Sequence, residues 1–238
     1  FMPMWKCVMQ TVLVTGASAG VGEATAELFI EKGCKVILLA RSVDTLKNLA
    51  GRLGERAVIA PCDAADGDAV AQMAAQIIAE HGVPDVIVNS AGAGAWKPVV
   101  ETSPQEARAM MDAPYFAAFN VVQAFLGPML ARDSGIIISL NSPACIVPWP
   151  GSAGYAAARG ALRTFHEALS EDIATSNLHA CHVIFGSIDT GYFETNAVDR
   201  GQLPTLDKFI PTLTPRQCAD AIYGLAQRPK SSLIRPRI

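Results

Sequence analysis

Short runs of β-branched and apolar residues alternate along the chain with longer stretches in which apolar positions recur every three or four residues. These are the two periods that separate buried strands from amphipathic helices. The runs predict strands over 11–15, 35–40, 56–60, 85–89, 135–140 and 178–185, with a last short strand near Leu233. The helical period predicts helices over 21–32, 44–53, 66–81, 104–132, 152–174 and 215–227, with Pro114 interrupting the long one because proline lacks the N–H a helix interior needs. Strands this continuously apolar, joined by helices, imply a parallel sheet covered on both faces, an α/β doubly wound fold. A single domain over 11–238 is expected, after an apolar extension over 1–10. Ligands of such sheets bind beyond the carboxyl ends of the strands, so Gly16, Asn89, Ser142 and Gly186, each just past or at a strand end, are expected to meet at one crevice.

Composition narrows the function classes. The chain has 238 residues, half of them hydrophobic and 17% charged, enough to bury a large core. A net charge of −3 with no basic run argues against a nucleic-acid partner, and no continuous apolar run long enough to span a membrane is expected. The six cysteines are scattered without a CxxC pair, which argues against a zinc site or a disulfide framework. They read as reduced thiols of an intracellular protein, in the cytoplasm or an organelle. Small-molecule chemistry is the expected business of the chain.

The loop Thr15-Gly-Ala-Ser-Ala-Gly-Val-Gly22 joins the first strand to the first helix. Glycines there let the backbone approach a pyrophosphate at the positive end of the helix, the arrangement of a Rossmann-like dinucleotide site. The second strand ends in Leu39-Ala40-Arg41-Ser42, without the acidic residue that holds the ribose hydroxyls of NAD. An arginine matches a 2′-phosphate, which guanidinium binds in a bidentate way, so NADP(H) is the expected cofactor.

Farther along, Ser142 is followed thirteen residues later by Tyr155 and one helical turn on by Arg159, which places phenol and cation on one helix face. A positive charge beside a phenol favours the phenolate and makes the group a usable proton donor or base. Arginine supplies that charge but does not give up a proton, so a relay running through position 159 is not expected.

These residues together resemble the short-chain dehydrogenase/reductase family, of NADP-preferring type, over nearly the whole chain. The family's glycine motif matches Thr15 to Gly22, its adenine-contacting aspartate Asp63, its Asn-Asn-Ala-Gly motif Asn89-Ser-Ala-Gly92, its serine and tyrosine Ser142 and Tyr155, and its Pro-Gly motif with a following threonine Phe185-Gly186 with Thr190. The resemblance implies that Ser142, Tyr155 and Arg159 are catalytic. It also implies that Thr15, Gly16, Ser18, Ala19, Gly20, Val21, Gly22, Arg41, Ser42, Asp63, Asn89, Ala91, Gly92, Tyr155, Arg159, Gly186, Ile188 and Thr190 hold the cofactor, with no metal. The substrate implied is a small carbonyl or alcohol. A homodimer or tetramer, or membership of a larger assembly, is implied in the same way.

Three positions depart from the family pattern: Arg159 replaces its lysine, Phe185 its proline, and Pro114 its relay asparagine when Phe119-Asn-Val-Val-Gln123 anchors the alignment. They lead to the expectation of a reductase with reduced turnover. Two other readings share the same residues. One is a nucleotide-binding scaffold or sensor subunit; the other is a halohydrin dehalogenase, which uses Ser-Tyr-Arg but not the intact glycine loop. Of the remaining residues, His179 and His182 around Cys181 are expected to be packing, since no third metal ligand lies nearby, and His166 is expected at the surface or an interface. The segment 191–213 reads as a loop over the substrate site, with Phe193, Trp149 and Trp96 facing either the substrate or the core.

Overall fold

The computed structural model describes residues 11–191 and 211–236; the extension over 1–10 and most of the expected substrate loop, Phe193 included, lie outside the described residues. Seven strands form one parallel sheet in the order β3-β2-β1-β4-β5-β6-β7. They are β1 (Thr11–Thr15), β2 (Lys35–Ala40), β3 (Ala57–Pro61), β4 (Val86–Asn89), β5 (Gly135–Asn141), β6 (Leu178–Phe185) and β7 (Ser232–Arg235). The order reverses between β1 and β4, the switch point at which an open parallel sheet leaves a crevice for ligands.

The strands are apolar on both sides because helices cover both faces. On one face α1 (Gly20–Glu31), α2 (Val43–Leu53) and α7 (Pro215–Gln227) bring Phe29, Leu46, Ile222 and Leu225 onto Val14, Leu38 and Val183. On the other, α3 (Gly67–His81), α5 (Ala117–Arg132) and α6 (Ala153–Asp172) bring Val70, Ile77, Val121, Phe125 and Leu169 onto Leu13, Ile37 and Ile137. Helix starts follow capping chemistry: Ser42 caps α2 and Asp66 caps α3, while Ser103 and Glu106 form a capping box on α4 (Pro104–Met111).

The interruption expected at Pro114 is a π turn over Asp112–Phe116 between α4 and α5, closed by the Ala117 N–H on the Asp112 carbonyl. The wider i−5 turn steps around the N–H that proline lacks, so the chain runs on without a break. Taken as one stretch, Pro104–Arg132 meets the length and composition of a membrane-crossing helix, a test that the core helix of a folded domain also passes. Here it lies along the sheet, with Val121, Phe125 and Met129 wholly buried in the core.

Candidate active site

The carboxyl ends of β1, β4, β5 and β6 open onto one cavity of about 1110 Å³. Its walls bring together Gly16, Ser18, Ala19, Gly20, Val21, Arg41, Asp63, Ala91, Gly92, Ser142, Tyr155, Arg159, Gly186, Ile188 and Thr190, residues up to 174 positions apart in the chain. At one end the β1–α1 loop turns through positive φ at Gly16 and Gly20. Ala19 occupies the N-cap position of α1 without a side-chain hydrogen bond, so the first amides of that helix are left for an anion at the cavity wall. Arg41 is exposed at the rim, and among the described residues no carboxylate pairs with it.

Four residues of the expected cofactor set stand behind this wall and do not line it. Thr15 accepts the amides of Ser90 and Ala91 at 3.0 Å each, tying the loop after β4 to β1. Gly22 packs so closely that a Cβ would lie 2.2 Å from the Gly16 carbonyl oxygen. Ser42 is occupied as the cap of α2, and Asn89 is buried at the end of β4. Thr15 and Gly22 hold the glycine loop from outside the cavity. Identity and spacing single out the motif but do not separate residues that touch a ligand from residues that hold the loop.

At the other end, α6 brings Tyr155 and Arg159 under the end of β5. Both are buried, Arg159 to 7% exposure. Its guanidinium carbon lies 5.1 Å from the centre of the Tyr155 ring, over its face. Nη1 donates to the Leu140 carbonyl at 3.4 Å, and Nε has no hydrogen-bond partner among the described residues. Among the described residues no carboxylate pairs with it. A buried cation is costly unless paired or hydrogen-bonded, so the remaining N–H groups of this guanidinium could hold the hydroxyls of a ribose. Gly92 makes room for the planar head, since a Cβ there would stand 2.7 Å from Nη2.

Tyr155 packs against two tryptophans that sequence reasoning left undecided between substrate and core. Trp96 and Trp149 meet edge to face at 4.9 Å and lie 5.9 and 6.2 Å from the tyrosine ring. Both also line the cavity, as do Ile146 and Val147, so they serve core and pocket together. Ser142 directly follows β5, its hydroxyl oxygen accepting the Ala144 amide at 3.3 Å. Asp112 and Ala113 of the π turn, Asn141, and Arg235 beyond β6 were not expected, because their place in the wall depends on how distant elements pack.

His166 is the clear correction: instead of standing at the surface it is 2% exposed and stacks on His182, ring centres 5.3 Å apart. Burial pushes both imidazoles down from the ordinary histidine value to about 4, with the neighbouring His182 adding to the effect on His166 and Arg163 to that on His182.

Residues 10–201 match the family model described as short chain dehydrogenase. A fatty acyl-CoA reductase from Acinetobacter baylyi is 29% identical over 227 residues, covering 93% of this chain and 74% of its own. A 3-oxoacyl-(acyl-carrier-protein) reductase from Chlamydia muridarum is 30% identical over 187 residues, 77% of this chain and 75% of its own. Among solved structures, the closed form of a serine dehydrogenase complexed with NADP+ superposes with a TM-score of 0.87 at 28% identity, covering 94% of each chain. With the glycine loop and the parallel sheet, these matches make the chain an oxidoreductase of the short-chain dehydrogenase family, a nicotinamide-cofactor fold.

Proposed function

We propose that the protein is an NADP(H)-dependent oxidoreductase that interconverts a carbonyl and an alcohol on a small, lipophilic substrate. The observation that carries this reading is the meeting of Ser142, Tyr155 and Arg159 with the glycine loop and Arg41 on the wall of one cavity. Preference for NADP(H) is supported by Arg41 at the end of β2, which pairs with no carboxylate among the described residues and whose guanidinium fits a 2′-phosphate, and by the NADP+ in the related serine dehydrogenase. A lipophilic substrate is supported by Trp96, Trp149, Ile146 and Val147 around Tyr155, and by two relatives named for acyl substrates.

In this reading a bound nicotinamide supplies or accepts the hydride. The Ser142 hydroxyl hydrogen-bonds the substrate oxygen, and the Tyr155 hydroxyl donates the proton that turns the carbonyl oxygen into an alcohol. Arg159, fixed over the tyrosine ring, stabilises the phenolate that remains. Its remaining N–H groups would hold the ribose hydroxyls of the cofactor, and Ala19 and Gly20 at the N-terminus of α1 would hold its pyrophosphate. Arginine does not release a proton, so Tyr155 recovers its proton from the solvent side of the cavity, and turnover is slow. The exposed Phe116 and Phe119, in edge-on and tilted contact with Tyr115 and Phe165 where the π turn and α5 meet α6, support a homo-oligomer.

Fluorescence titration with NADPH and NADH tests the reading. Tight, NADPH-selective binding followed by carbonyl reduction supports it. Binding without turnover on a broad carbonyl panel favours a nucleotide-binding scaffold, and halide release from halohydrins without nucleotide binding favours a dehalogenase. Replacing Arg159 with lysine restores a group that can pass a proton, and kcat should rise; an unchanged kcat with the nucleotide still bound would overturn the account of slow turnover.

A further inference from the structure

From Asn141 in the cavity wall a chain of buried polar groups runs from the end of β5 to the middle of α6, and the mechanism above does not use it. Asn141 immediately precedes Ser142 and is 5% exposed. Its Oδ1 accepts the backbone N–H of Ser142 at 2.8 Å. Its Nδ2 donates to the backbone carbonyl of Arg159 at 2.9 Å and lies 3.0 Å from Nε2 of His182. His182, on β6, is 5% exposed and stacked on His166 of α6, seven residues after Arg159.

The roles in this chain follow from its backbone ends. An amide N–H only donates, so Oδ1 faces Ser142; a carbonyl only accepts, so Nδ2 faces Arg159. The side-chain amide therefore has one orientation, and its second N–H points at Nε2 of His182. That nitrogen must accept, which makes His182 neutral with its proton on Nδ1. A protonated ring would set two donors against each other.

We propose that Asn141, locked by His182, is the positioning residue of this site, tying the backbone of Ser142 at the end of β5 to that of Arg159 in α6. The proposal rests on the roles given above to Ser142, Tyr155 and Arg159, and it names what holds them in register. Ser142 arrives on a strand and Tyr155 with Arg159 on a helix thirteen residues on, across a loop and a 3₁₀ turn at Pro143–Cys145. A single side chain bonded to both elements fixes their separation. Without His182, one amide N–H of Asn141 is left unpaired in the interior, and rotation to satisfy it releases Ser142 or Arg159.

The test combines readings that do not need turnover with one that does. In protein labelled with 15N-histidine, the ring nitrogens of His182 should show Nε2 unprotonated and Nδ1 protonated at neutral pH. In His182→Leu the Ser142 amide should exchange with deuterium at least about tenfold faster, while amides in the core of β1 keep their protection. In the same variant kcat should fall about tenfold or more with the NADPH dissociation constant held within about threefold, as expected for a small displacement at the reacting groups. His182→Gln keeps an acceptor in place and should recover most of both effects. Asn141→Ala should reproduce the loss where it folds; the His182 pair carries the test where it does not. A protonated Nε2, an unchanged Ser142 exchange rate in His182→Leu, or a Gln variant as impaired as the Leu variant would overturn the proposal. Wild-type protein with the stated tautomer and a protected Ser142 amide but no reductase activity would leave the bond network standing and overturn the reductase reading alone.

Discussion

The two stacked histidines make the stability of this fold sensitive to mild acid. Both titrate near 6.5 when unfolded and at about 4 when folded, chiefly because burial disfavours their charged form. Between those values the unfolded chain binds protons that the folded chain excludes, so stability is full above about pH 6.5 and falls as the pH drops toward 4. At pH 5 the difference is about 2 kcal/mol for each histidine, or about 4 kcal/mol for both when the two contributions add. For a chain of this size that lowers the melting temperature by roughly 8 to 16 °C relative to pH 7.5. The groups facing the pair are Arg163 and Glu167 of α6, which act on His182 in opposite directions. The carboxyls held low, Glu31, Glu106 and Asp133, have unfolded values of 4.5, 4.5 and 3.8, so their contributions change little between pH 7.5 and 5 and are lost mainly below pH 5. Thermal unfolding followed by circular dichroism at pH 7.5, 6.5, 5.5 and 5.0 measures the effect. In His182→Gln about half of the fall should disappear. A melting temperature that stays level from pH 7.5 to 5.0, or a variant with the wild-type slope, would refute the argument that burial holds this pair neutral.

Other perturbations test the cavity walls. Arg41→Ala should weaken NADPH binding by roughly 10- to 100-fold, the loss of a charge-assisted contact of about 1.5–3 kcal/mol, and leave NADH unchanged; equal losses for both nucleotides in a titration would remove Arg41 from the 2′-phosphate site. Gly92→Ala places a methyl group 2.7 Å from Arg159 Nη2, so the guanidinium must move; nucleotide affinity should fall while urea unfolding changes by less than about 1 kcal/mol, because the displaced atoms end a flexible side chain. Gly22→Ala meets backbone, 2.2 Å from the Gly16 carbonyl, and should cost about 1–3 kcal/mol in urea unfolding as well as nucleotide binding; a variant of wild-type stability would mean that the loop yields more readily than its packing indicates.

The hydrophobic pattern by itself determined the order and type of the elements, because a strand buried on both faces and a helix buried on one leave different periods in the sequence. Boundaries moved by only a residue or two, as at β3, expected over 56–60 and found over Ala57–Pro61. The glycine loop, Arg41, Ser142, Tyr155 and Arg159 were also legible, since each lies at a strand end or one helical turn from the next. Pro114 announced an interruption, but only the structure decided that it would be a π turn that keeps the helix running. Which motif residues face the cavity and which stand behind it was likewise settled in three dimensions: Thr15 and Gly22 serve the loop from the rear. His166, His182 and Asn141 carry no local signal, because what unites them is the pairing of β5 with β6 and the packing of α6 across both. Spacing along the chain governs what neighbours on one element share; contacts between elements are set by the close packing of the whole core, and no single segment encodes them.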